Sequence, residues 1–89
     1  MRDGRPGADL IEAGLADLRA GRETAAALLV SIGAPRLRRL GTAVPEPFTF
    51  PEHRLYALLA REAGDAAHSR YNALIRRLVS FERASECAG

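Results

Sequence analysis

Two histidines, His53 and His68, and one cysteine, Cys87, are the only imidazole and thiol ligands in the chain. A structural zinc site takes four ligands of this kind, most of them closely spaced in sequence. Here 15 residues separate the histidines, and the pattern around them puts the two on different helices. Glu52 or Asp65 could join them in space, but no zinc-type spacing is present, so no metal and no other cofactor is expected. Nucleophilic catalysis needs a Ser, Cys or Thr beside a base, with a third group to orient that base. Cys87 sits close to the C-terminus, and no Gly-x-Ser-x-Gly elbow occurs. A P-loop needs a lysine for its phosphates, and the chain has none. No catalytic residue is assigned on these grounds.

Arg61 precedes His68 by seven positions, across the start of a helix. This spacing resembles the Arg…His element of HEPN-type ribonucleases, helical domains that cleave RNA with such a pair. The residue after the arginine is Glu62 where that family usually has Asn, and 89 residues is short for the fold. The resemblance implies RNA cleavage dependent on His68, the third of three functional readings.

All 13 basic residues are arginines, and the formal net charge is only +2. With abundant Ala and Gly, this reads as the composition of a GC-rich, bacterial genome. Six of the arginines fall in two segments, "RLRR" (Arg36, Arg38, Arg39) and "SRYNALIRR" (Arg70, Arg76, Arg77). Packed side by side near Tyr71, they would form a patch for the phosphate backbone of a nucleic acid. Such binding falls steeply with salt, because each phosphate contact releases counterions. This is the second reading.

The elements that must position these residues are helical throughout. Asp9, three residues before Glu12, has the spacing of a capping box, and Leu10, Ile11, Gly14, Leu15 and Leu18 follow at helical intervals. Gly21 stops that helix. A second helix starts within Arg22–Thr24 and buries Leu28, Leu29 and Ile32. Gly33 and Pro35 should end or kink it, since proline lacks an amide hydrogen and clashes with the preceding turn. A short third region, with Pro35 at its first position, then runs to Gly41. Three prolines make residues 41–51 an ordered loop, with Phe48 and Phe50 folded back as a lid. Pro51 opens the next helix, on which Leu55, Leu58 and Leu59 form the apolar stripe and Tyr56 lies beside it. Gly64 breaks it, and Asp65 is placed to cap the last helix.

At 100° per residue, Ala67, Tyr71, Leu74, Ile75, Leu78, Phe81 and Ser85 share one broad face of that last helix. Ser69, Arg76, Ser80 and Arg83 lie opposite, while Arg70 and Arg77 stack on a flank. His68, Asn72 and Val79 form a strip beyond the apolar edge, joined to it by Ile75. This strip either bridges to the 41–51 loop or meets a partner subunit.

Together these features predict an all-α, single-domain bundle of about four mostly antiparallel helices over residues 8–89, behind a flexible tail at 1–7. The longest apolar run, Ala25 to Val30, is far below the roughly 20 residues of a membrane span. With one cysteine and no apolar leader after Met1, a cytoplasmic protein is expected. A domain this small gains stability from a second subunit. The leading reading is therefore a protein–protein interaction module, self-associating or accessory to a larger protein, with His68, Asn72, Ile75 and Val79 as its interface.

Overall fold

The computed structural model describes residues 4–88. Helix α1 spans Ala8–Arg19, α2 Ala25–Arg39, α3 Pro51–Ala63 and α4 Ala67–Ala88. A single 3-10 turn, Gly64–Ala66, joins α3 directly to α4. The described residues thus make three helical segments, α3 and α4 running together through that turn, rather than about four. No strand occurs among the described residues.

Helix boundaries follow local chemistry at most positions. Gly21, at φ 75°, lets the chain turn back at the end of α1, with Gly21 N–H donating to Leu18 O and Arg22 N–H to Asp17 O. Those two bonds form a Schellman motif, which satisfies carbonyls the helix leaves open. Gly41, at φ 97°, repeats the device after α2, with Thr42 N–H reaching Leu37 O at 2.9 Å. Thr24 caps α2, its hydroxyl accepting from Ala27 N–H at 3.1 Å, and Pro51 occupies the first turn of α3.

Three boundaries differ from the sequence expectation. Pro35 lies inside α2, which continues without interruption to Arg39. An interior proline costs about 3 kcal/mol. Here it sits on the exposed side, and the turns around it bury Ala34 and Leu37 completely or nearly so. Packing holds the helix where local propensity would end it. Asp9 is not a cap: α1 begins at Ala8 behind Gly7, which has φ 78° and no side-chain cap bond. Asp65 falls within the 3-10 turn.

Helix α2 is the central element and packs against α1, α3 and α4. Its Leu28, Leu29, Val30 and Leu37 are fully buried, along with Ile11 of α1 and Leu55 of α3. Helices α1 and α2 form an antiparallel hairpin with Asp17 opposite Thr24. They cross closely at Gly14, where a Cβ would meet Ala26 O at 2.3 Å. Helix α4 instead runs parallel to α2: Gly33 meets Leu78 and Glu82, and further on Arg36 pairs with Glu86. The 40–50 loop makes this possible by carrying the chain back along α2. It is held by Phe48 N–H donating to the buried Ser31 hydroxyl at 3.1 Å and by Arg38 donating to Val44 O and Pro45 O.

The radius of gyration is 12.5 Å, close to the roughly 12 Å expected of a folded chain of this length. Of the expected N-terminal tail, Met1–Asp3 lie outside the described residues. The next residues are tied to α4: Arg5 donates to Ser85 Oγ at 2.8 Å, and its guanidinium lies 4.5 Å from the Phe81 ring centre.

Candidate functional site

The tight turn through Gly64 folds α3 back on α4 and brings Tyr56 against the first turns of α4. Tyr56 and His68 have ring centres 6.5 Å apart. Tyr56 and Tyr71 are closer, at 5.7 Å and an interplanar angle of 54°, a tilted contact that aromatic quadrupoles favour. One turn along α4, the Asn72 side-chain amide donates to His68 Nε2 at 3.2 Å. His68 and Asn72 are both exposed, and Ile75 and Val79 continue the strip as half-buried residues. All four expected residues therefore lie on one flank of α4. Among the described residues, no hydrogen bond joins them to the 41–51 loop; His68 and Asn72 bond to each other, and the neighbour of His68 is Tyr56 on α3. Burial raises the Tyr71 hydroxyl above its ordinary pKa, and the Glu52 carboxylate adds to this.

The six arginines do not form one patch. Arg36 pairs with Glu86, and Arg38 is occupied with the loop carbonyls of Val44 and Pro45. Arg36 and Arg39 also face Glu82, a buried carboxylate on α4 whose pKa is pushed up by desolvation and only partly drawn back by those two cations. Arg70, Arg76 and Arg77 are exposed on α4 and make no ion pair among the described residues. Parallel packing explains the division: it sets the C-terminal end of α2 beside the last turns of α4, away from Arg70 and Arg77.

Those two arginines border a different feature. Ala25 of α2, Leu59 of α3, and Ala73 and Leu74 of α4 line an open groove of about 280 Å³, with Glu62, Arg70 and Arg77 as its charged members. The loop aromatics have separate fates. Phe48 packs against the core, with the Arg54 guanidinium 5.9 Å from its ring centre. Phe50 is 77% exposed and takes the left-handed conformation, φ 50° and ψ 50°, immediately before Pro51. It is not part of a lid.

Catalytic geometry is sparse. Arg61 lies in the last turn of α3 and His68 in the first turns of α4, and no hydrogen bond or ion pair connects them among the described residues. No hydroxyl or thiol bonds to either histidine there: Thr24 is engaged with Asp17, Ser85 with Phe81 O, and Cys87 is exposed. No three of His, Cys, Asp and Glu gather to form a cation site among the described residues. No described helix is long and apolar enough to cross a membrane.

Sequence reasoning missed three of these features. Tyr56 at the strip had a signal, since a short break at Gly64 folds α3 onto α4. Glu82 had one too, lying at helical spacing from Leu78 and Ser85. The groove had none, because it depends on the beginning of α2 meeting the middle of α4. No family model matches the chain, and no curated protein or solved structure is similar to it.

Proposed function

We propose that the chain is a small helical protein–protein interaction module, self-associating or accessory to a larger protein, and that His68, Asn72, Ile75 and Val79 offer the docking strip. The observation that carries this reading is the cluster of Tyr56, His68 and Asn72 at the surface, with Tyr56 itself 42% exposed. Aromatic side chains with one apolar body and one polar tip are enriched where proteins meet, since they bury much area at low entropic cost. Ile75 and Val79 extend the cluster with apolar surface, and the strip bears no carboxylate or guanidinium. Cytoplasmic residence goes with this reading and rests on the single thiol, which suits a reducing compartment.

The test is site-specific photocrosslinking from position 72 in the cells that make the protein. A discrete protein adduct that disappears with Val79→Glu supports the strip. An adduct unaffected by that substitution, or none at all, removes it. Nucleic-acid binding is the second reading, favoured by the exposed Arg70, Arg76 and Arg77 of α4 and opposed by the engagement of Arg36 and Arg38 within the fold. Purified protein carrying excess absorbance at 260 nm that salt removes would support it.

A further inference from the structure

Phe50 is the one described non-glycine residue with positive φ. Bulky residues seldom take this conformation, and the result here is a phenyl ring held out in solvent, 77% exposed. A single exposed apolar side chain is ordinary; one presented through an unfavourable backbone conformation points to use. Its flanking charges are Glu46 and Glu52, the nearest guanidinium in sequence, Arg54, being turned toward Glu23 and the Phe48 ring. The segment Glu46–Glu52 contains two glutamates and no basic residue, and both glutamates are exposed without an ion pair among the described residues.

The groove between α2, α3 and α4 has the opposite character. Its apolar wall comes from Ala25, Leu59, Ala73 and Leu74, and its two arginines, Arg70 and Arg77, outnumber its one carboxylate, Glu62. Its volume of about 280 Å³ exceeds the ~150 Å³ of an apolar cavity that holds a benzene ring. The chain's own Phe50 cannot fill it. Phe50 is the N-cap of α3 and Leu59 lies nine residues further on, about 13 Å along the axis at 1.5 Å per residue.

We infer that this groove receives Phe50 from a second copy of the chain, with Glu46 and Glu52 of that copy against Arg70 and Arg77. This rests on the reading of the chain as an interaction module, and gives the joining of copies to a contact separate from the strip. Knob and groove are different surfaces, so a reciprocal exchange is an isologous pair and a one-way contact is heterologous. Copies then either exchange it reciprocally in a pair or continue head to tail.

Light scattering behind size exclusion, with refractive-index detection because the chain has two tyrosines and no tryptophan, measures the outcome. The wild type is expected at no less than twice the 9.6 kDa chain mass. Phe50→Asn is expected at the single-chain mass with its helix content intact, because asparagine tolerates positive φ and leaves the local backbone in place. Arg70→Glu/Arg77→Glu and Glu46→Arg/Glu52→Arg should each be monomeric alone, and mixing the two should restore association. A monomeric wild type across the accessible concentration range overturns the inference, as does assembly that survives Phe50→Asn or charge reversal. Val79→Glu should leave the mass unchanged. Loss of assembly with Val79→Glu, while Phe50→Asn assembles normally, would return self-association to the strip and overturn the knob-and-groove contact.

Discussion

Replacing Gly14 with alanine tests the close crossing of α1 and α2, and two effects of opposite sign compete there. Alanine is favoured over glycine inside a helix by about 1 kcal/mol, so Gly14→Ala on an isolated α1 would stabilise. In the folded protein the new Cβ would lie 2.3 Å from Ala26 O, 2.8 Å from Ala26 C and 2.6 Å from Val30 Cγ2. Two of those three atoms are backbone of α2 and can yield only if the helices separate. Overpacking of this kind costs about 1–3 kcal/mol, and the backbone contact puts this case at the upper end. The net is a loss of about 2 kcal/mol. For a domain of this size, each kcal/mol moves the melting temperature by roughly 4–8 °C. A fall of about 10 °C or more is therefore expected in a thermal melt followed by far-ultraviolet circular dichroism. Gly33→Ala supplies the comparison. Its Cβ would meet two Leu78 methyl carbons, at 2.8 and 3.1 Å, and Glu82 Oε2 at 3.2 Å. All are ends of side chains that can rotate, so its loss should be smaller. A Gly14→Ala protein melting at or above the wild-type temperature would refute the argument, because propensity would then outweigh the contact.

Two further substitutions examine the loop and the buried carboxylate. Ser31→Ala removes the acceptor of Phe48 N–H and should cost about 1–2 kcal/mol in denaturant unfolding; an unchanged midpoint would show that Ser31 does not anchor the loop. Glu82 has a folded-state pKa raised by burial, against the attraction of Arg36 and Arg39. The folded protein thus holds this proton more tightly than the unfolded chain, and the stability this provides is present below the unfolded carboxyl pKa and lost as pH rises through the folded one. Glu82→Gln should accordingly melt higher than wild type at neutral pH, with the difference shrinking as pH falls to about 4. A variant that melts lower at neutral pH would mean that attraction to the two arginines exceeds the cost of burial.

Much of the fold could be read from residues a few positions apart. Gly21, Gly41 and Gly64 end helices because they reach positive φ without a Cβ clash. Thr24 and Pro51 begin helices, and the stripes containing Ile11, Leu28, Leu55 and Leu78 turn inward because their spacing matches the helical repeat. Each of these signals is complete within one or two turns of chain. The strip from His68 to Val79 was equally legible, since residues on one helix share a flank whatever the rest of the molecule does.

Tertiary packing decided the rest. Pro35 stays inside α2 because the residues around it are buried among other helices, an energy no local window contains. Asp9 loses its capping role to Gly7, whose position is set by α4: a Cβ there would meet Arg77 O at 2.9 Å. The arginines separate because α4 runs parallel to α2, a direction set by the 40–50 loop and not by either helix. For the same reason Glu82 faces Gly33, and Arg70 and Arg77 border a groove that begins at Ala25. The sequence alone thus determined where helices form and which faces they bury, because those depend on neighbours along the chain. Which charges meet, which aromatic ring is left in water and where a groove opens were settled only when distant segments packed.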